Sequence, residues 1–197
     1  MENTPKLYII SGCNGAGKTT ASYTVLPEML GCQEFVNADE IAKGLSPFNP
    51  ESMSIEAGRL MLFRINELIN HRVDFAFETT LATRSYANFV RKAQKQGYHS
   101  TLVYFWLNSH DLAFKRVASR VASGGHHVDE ETIKRRYYRG LYNLFNLYIN
   151  IVDYWMLLDN SGTLFDIIAE GVKNETKYIV NQKSYQILEK YGREGNN

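Results

Sequence analysis

The sequence has little to tie it to a membrane, an oxidising compartment or a polyanion. Among its 197 residues are two cysteines, Cys13 and Cys32, placed to match neither a disulfide framework nor a zinc-ligand spacing. A reduced, cytoplasmic protein is the expectation. No apolar run approaches the roughly 18 residues of a membrane span, and Leu7–Ile10, after Met1-Glu2-Asn3-Thr4-Pro5, is too short for the core of a secretion signal. Neither export nor a membrane partner is expected. Charge of either sign is not in excess: 22 Lys and Arg against 21 Asp and Glu leave a formal net charge of +1, so nucleic acid is not an expected partner and any basic site must be local. Of only four prolines, two sit in Gly44–Pro50, which reads as a rigid loop. No repeat, low-complexity tract or linker divides the chain, and its length suits one α/β domain spanning residues 1–197.

What is present begins with Gly12-Cys13-Asn14-Gly15-Ala16-Gly17-Lys18-Thr19-Thr20, directly after the apolar run Leu7-Tyr8-Ile9-Ile10. It fits GxxxxGK[ST], the phosphate-binding P-loop, with a strand before and helix-compatible residues after. Glycines let the backbone curl so that successive N–H groups point at phosphate oxygens. Gly12, Asn14, Gly15, Ala16, Gly17, Lys18, Thr19 and Thr20 are therefore the expected nucleotide-binding residues, with ATP and Mg²⁺ as the expected cofactors. Lys18 would reach the β- and γ-phosphates, and Thr19 would ligate the metal. No apolar run ending in Asp-Glu and no ABC-type signature is present, which argues against a motor or transport ATPase.

Short apolar runs alternate with longer helix-like segments, the pattern of a P-loop NTPase of kinase type: a parallel five-stranded sheet with helices on both faces. Candidate strands are Leu7–Ile10, Glu34–Asn37, Phe75–Phe77, Thr101–Leu107 and Trp155–Leu158. Candidate helices are Thr19–Leu30, Pro50–His71, Tyr86–Gln96, Asp111–Ser123 and Asp129 to about Asn150. In the second helix Ile55, Leu60, Leu62, Phe63, Leu68 and Ile69 are expected in the core. Segments flanking Gly171–Glu175 read as a C-terminal hairpin, followed by a helix over Ser184–Tyr191, so that residues of about 163–191 form a terminal unit.

Strand tips carry the polar groups, where open α/β sheets build their sites. Asp39 can take a proton from a hydroxyl or hold Mg²⁺ through water; the alternative is an N-cap of the next helix. Glu78, Thr79 and Thr80 suit an acceptor with several hydrogen-bonding groups, with Arg84 nearby as a further contact or as a partner of Glu78. Phosphoryl transfer also needs cations. Arg116 and Arg120, then Ser123-Gly124-Gly125-His126-His127, then Arg135, Arg136 and Arg139 give helix, glycine hinge and helix. That is the layout of a lid, about 116–140, closing over phosphates. His126-His127 has no third metal ligand at a recognisable spacing. Trp106, Trp155 and Tyr137-Tyr138 read as packing rather than stacking platforms.

Gly12-x-x-Gly15-x-Gly17-Lys18-Thr19-Thr20, Asn37-Ala38-Asp39-Glu40-Ile41-Ala42, Ala57-Gly58-Arg59, Phe77-Glu78-Thr79-Thr80-Leu81, Arg120-Val121-x-x-Gly124-Gly125-His126, Ile133-x-Arg135-Arg136-Tyr137 and Asp159-Asn160-Ser161 together resemble the zeta-toxin-like P-loop kinases, over roughly residues 7 to 171. The resemblance implies strand order 2-3-1-4-5 and transfer of the ATP γ-phosphate to a hydroxyl. In characterised zeta toxins that hydroxyl belongs to the sugar of UDP-N-acetylglucosamine. By motif position Asp39 resembles the catalytic aspartate, Lys18 and Thr19 the nucleotide and metal groups, Glu78 and Thr80 the acceptor-binding strand end. Arg120 and one of Arg135 or Arg136 resemble the phosphate clamp. The resemblance is greatest to the short chromosomal members, and Asn14 stands where many P-loops of this group carry proline.

The expectation is a phosphotransferase acting on a small-molecule acceptor, with an antitoxin protein as a partner the resemblance allows. Another small-molecule kinase, or a nucleotide-dependent regulatory protein with incidental ATPase activity, are the alternatives.

Overall fold

Runs of β-branched and aromatic residues bounded by polar tips form the strands, and periodic segments form the helices between them. The structure is a computed structural model that describes residues 4–122, 124, 125 and 127–194. Its elements are β1 (Lys6–Gly12), α1 (Lys18–Thr24), β2 (Glu34–Val36), α2 (Ala38–Leu45), α3 (Ser54–His71), β3 (Phe75–Thr79), α4 (Tyr86–Lys95), β4 (His99–Trp106), α5 (His110–Ala122), α6 (Glu130–Asn143), β5 (Tyr154–Asp159), β6 (Asp166–Val172), β7 (Glu175–Ile179) and α7 (Gln182–Glu194). Wide π-helical turns extend α1 over Val25–Met29 and α6 over Leu144–Tyr148.

Among the described residues the strands form one sheet in the order β2-β3-β1-β4-β5-β6-β7. The pairs from β2 to β5 are parallel, giving the expected 2-3-1-4-5. The C-terminal hairpin extends this sheet: β6 is antiparallel to β5, and β7 to β6, making seven strands rather than five. Only residues 160–165 separate β5 from β6. That is too short for a parallel crossover of a dozen residues or more, so the chain must double back.

β1 is central and covered on both faces: Leu7, Tyr8, Ile9 and Ile10 are all buried, which is why that strand reads as continuous apolar sequence rather than an alternation. In α3 the buried stripe is Ala57, Met61, Ile65, Leu68 and Ile69. Ile55, Leu60 and Phe63, expected in the core, are 73%, 38% and 63% exposed. The i, i+4 register through Ala57 and Met61 sets the inward face, and the large side chains at 55 and 63 fall outside it. Trp106, Trp155 and Tyr137 are buried as packing groups. Trp106 Nε1 donates to the Tyr137 hydroxyl at 3.0 Å, which in turn donates to Leu107 O at 2.7 Å.

Candidate active site

β1 ends in the glycine loop because no other residue fits its exit. Gly12 has φ 140°, and a Cβ there would lie 2.2 Å from Phe105 O on β4. Gly17, at φ 79°, turns the chain into α1. Between them Ala16 N donates to Cys13 O at 3.2 Å, and Lys18 Nζ donates to the same carbonyl at 2.9 Å. The lysine therefore curls back over its own loop. Burial pushes the Cys13 thiol up to about 11, against the lowering effect of Lys18, so it stays protonated and packs as an apolar group.

β2 and β3 deliver the carboxylates. Asn37 caps α2: its Oδ1 accepts from Asp39 N at 2.8 Å and from Glu40 N at 3.4 Å. This corrects the alternative in which Asp39 is the cap; Asp39 lies in the first turn of α2 and lines both cavities. The other end of the Asn37 carboxamide donates to Glu78 Oε2 at 2.9 Å. Thr19 Oγ1 donates to the same oxygen at 2.7 Å, and Lys18 Nζ lies 3.5 Å from Glu78 Oε1. Glu78 is thus held by the P-loop and β2. Arg84 is exposed and lines neither cavity.

Two cavities meet over the carboxyl ends of the strands. One, of about 370 Å³, runs along Gly15, Gly17, Lys18, Thr19 and Thr20 and is flanked by Lys43, Arg116 and Arg120. The other, of about 360 Å³, is lined by Asn37, Asp39, Glu78, Thr79, Thr80, Thr83 and by Arg135, Arg136 and Arg139, with Met61 and Tyr86 as apolar lining. Asn14, Lys18, Asp39 and Glu78 line both. Arg136 is half-buried and donates from Nη1 to Asn14 Oδ1 at 3.2 Å, whereas exposed Arg135 donates to Thr132 Oγ1 at 3.2 Å. Of this adjacent pair, Arg136 makes the P-loop contact. Burial lowers the Arg136 pKa, and the charge of Asp39 opposes that shift. A guanidinium remains charged throughout the working pH range.

The threonine-bearing loop after β3 is shaped by α6. Leu81 is buried at φ 56°, its N–H donating to Thr79 Oγ1 at 3.1 Å. Asn143 Nδ2 donates to Leu81 O at 2.7 Å, the Tyr148 hydroxyl donates to Thr83 O at 2.9 Å, and a Cβ on Gly140 would lie 2.6 Å from Thr80 O. One helix therefore carries the arginines and, through its buried face, fixes the loop opposite them.

Among the described residues no group of three or more His, Cys, Asp or Glu could hold a metal, and His126 lies outside them. The Thr19 hydroxyl and Glu78 carboxylate, 2.7 Å apart, are the oxygen donors that suit a hard cation such as Mg²⁺.

Residues 1–148 match the family model described as Zeta toxin. The chain belongs to the zeta toxin family. An uncharacterised protein of Haemophilus influenzae is 31% identical over 137 residues, covering 70% of this chain and 94% of that one. In structure, the chain resembles a chain of the crystal structure of AvrRxo1-ORF1:AvrRxo1-ORF2 with sulphate ions, at TM-score 0.74 and 13% identity over 95% of this chain; it spans 64% of the other's length. The same pair with ATP gives TM-score 0.72 at 14% identity, covering 95% of this chain and 64% of that one. The PezAT chromosomal toxin-antitoxin system of Streptococcus pneumoniae gives TM-score 0.63 at 14% identity, covering 96% and 86%. Family and fold together support a P-loop kinase.

In this zeta toxin family member several lining residues escaped sequence reasoning. Asn37 had a usable signal, since an Asn followed by Asp39 and Glu40 marks a helix start. Met61 and Tyr86 are indistinguishable from core residues without the fold. Asn160 follows the tip of β5 and reaches the P-loop only through the sheet order.

Proposed function

We propose that the chain is a phosphotransferase that moves the γ-phosphate of ATP to a hydroxyl of a small acceptor. The supporting observation is that Asn14, Lys18, Asp39 and Glu78 line both cavities, so a nucleotide on the P-loop and an acceptor beside the threonines would meet at those four side chains. The acceptor oxygen attacks the γ-phosphorus, the bond to the β–γ bridging oxygen breaks, ADP leaves, and the acceptor proton passes to the Asp39 carboxylate. Lys18, Arg120 and Arg136 neutralise the transferring group. Thr19 and Glu78 would hold Mg²⁺, which when bound offsets phosphate charge. Glu78, Thr79 and Thr80 orient the acceptor.

Arg135, Arg136 and Arg139 in one cavity favour an acceptor that is itself anionic, and UDP-N-acetylglucosamine is the acceptor proposed for first test. ATP as the donor agrees with the ATP-bound AvrRxo1 structure, and a protein antitoxin as partner with the PezAT assembly. We place the protein in the cytoplasm; among the described residues no helix is long and apolar enough to cross a membrane.

The test is ATP consumption by the purified chain with Mg²⁺, alone and with UDP-N-acetylglucosamine, reading products by mass. A sugar nucleotide heavier by one phosphate supports the full reading. Slow hydrolysis unchanged by the sugar discards that acceptor and sends the same assay to an acceptor screen.

A further inference from the structure

The segment after β5 is held from two sides, by the P-loop and β4 on one and by α5 on the other. Asn160 Nδ2 donates to Ala16 O at 2.8 Å, and its backbone N–H donates to Trp106 O at 2.9 Å. The carboxamide has this space because residue 17 is glycine: a Cβ there would lie 2.5 Å from Asn160 Nδ2. From the other side Arg116 of α5 collects three successive carbonyls, donating from Nη1 to Asn160 O at 2.7 Å and from Nη2 to Ser161 O at 3.1 Å and Gly162 O at 3.2 Å. The turn is closed locally as well, with Ser161 N donating to Asp159 Oδ1 at 2.9 Å and Asn108 N donating to Ser161 Oγ at 2.9 Å.

A guanidinium has five N–H donors, and Arg116 commits three of them to these carbonyls. It lines the nucleotide cavity, yet its fork faces protein oxygens. Charge alone would make it a phosphate ligand; the hydrogen bonds make it a brace. Lysine would not reproduce it, because its donors share one nitrogen on a flexible stem, whereas Arg116 reaches the carbonyls from two nitrogens held apart by a rigid fork.

We propose that Arg116 and Asn160 are positioning residues that hold the Ala16-Gly17 end of the P-loop in its phosphate-binding shape, and that Arg116 is not one of the cations on the transferring phosphate. This rests on the nucleotide reading given above. A brace acts on whatever the loop binds, so its loss weakens ADP and ATP alike. A γ-phosphate ligand weakens ATP alone, because ADP lacks the group it touches.

The experiment compares the full chain with Asn160→Ala and Arg116→Met, measuring Mg-ADP and Mg-ATP affinity by calorimetry, hydrogen exchange of peptides covering residues 12–20 in the nucleotide-free protein, and the urea midpoint. The expected result is tenfold or greater loss for both nucleotides, an ADP-to-ATP affinity ratio within twofold of wild type, and faster exchange confined to the P-loop and the turn after β5. Arg116→Lys should recover little. A loss for ATP alone in Arg116→Met overturns the proposal and assigns a γ-phosphate contact. Unchanged P-loop exchange in Asn160→Ala overturns it too, as does faster exchange spread equally over β3 and β4, the mark of general loosening. If Asn160→Ala does not fold, Asn160→Ser carries the same comparison. Wild-type protein that binds neither nucleotide overturns the kinase reading, and with it a role in nucleotide positioning. Wild-type binding with unmoved variants overturns the brace alone.

Discussion

Glu78 accepts the Thr19 hydroxyl at 2.7 Å through one carboxylate oxygen, while its other oxygen lies 3.5 Å from Lys18 Nζ. The chain's own carboxylate therefore engages the two side chains that a P-loop directs at phosphate and metal. The side chains of Lys18 and Glu78 are 6% and 11% exposed, so each charge needs a partner where it sits. A buried charge stripped of its partner costs several kcal/mol. A bound phosphate would take over the lysine, and a bound cation the carboxylate.

Lys18→Met should lower phosphate transfer by 10²-fold or more, because charge stabilisation of the transferring group goes. It should also destabilise the nucleotide-free chain by about 3 kcal/mol, since Glu78 is left buried without its counter-charge, with only the neutral donors Thr19 and Asn37. Adding Glu78→Gln to Lys18→Met should recover most of that stability and none of the activity. Urea midpoints of the single and double variants check the first effect, and turnover checks the second.

Gly140→Ala and Asn143→Ala act on the loop that faces the acceptor. A methyl at 140 would meet Thr80 O at 2.6 Å, and loss of the Asn143 carboxamide leaves Leu81 O without its donor. Both variants should raise the acceptor concentration needed for half-maximal turnover by tenfold or more and leave ATP affinity within about twofold. An equal loss in ATP affinity would count against a local role for α6.

Asp153 gives the fold a specific acid response. Burial works against its charged form, but donors from Ser100 N at 2.9 Å, Ser100 Oγ at 2.7 Å and Gln94 Nε2 at 3.2 Å outweigh it, and its pKa is lowered. The unfolded chain then binds the proton more readily than the folded one. The stabilisation is complete above the unfolded value, about 3.9, and is lost as pH falls through the lower folded value. Urea midpoints measured between about pH 6 and pH 3 should fall more steeply for wild type than for Asp153→Asn.

The P-loop and the alternation of strands and helices were legible because both depend on local signals, apolar runs, polar tips and a glycine spacing; the strand order 2-3-1-4-5 depends on tertiary pairing and was implied only by the resemblance to the zeta-toxin-like kinases. The exposed Ile55, Leu60 and Phe63 were misread because the helical stripe was drawn too wide, whereas Ala57, Met61 and Ile65 define the inward face of α3. The extension of the sheet by β6 and β7 was not legible, since a hairpin in sequence carries no sign of which edge it joins. In the site, Asp39, Glu78 and the arginines could be named from the strand tips and from the two helices on either side of Gly124-Gly125. The division of the arginines between two cavities, the bond from Asn37 to Glu78 and the diversion of Arg116 to carbonyls depend on contacts between residues distant in sequence.

In the proposed reaction, phosphate passes from nucleotide to acceptor at the junction of the two cavities, with Asp39 taking the acceptor proton. The most direct measurement incubates wild type and Asp39→Asn with γ-labelled ATP, Mg²⁺ and a small-molecule extract supplemented with UDP-N-acetylglucosamine, and follows the label by mass while ATP binding is measured separately. The proposed reaction requires label in an organic hydroxyl compound with wild type, none with Asp39→Asn, and ATP binding within about threefold in both. Label found only in inorganic phosphate, or equal labelled product from Asp39→Asn, would contradict it.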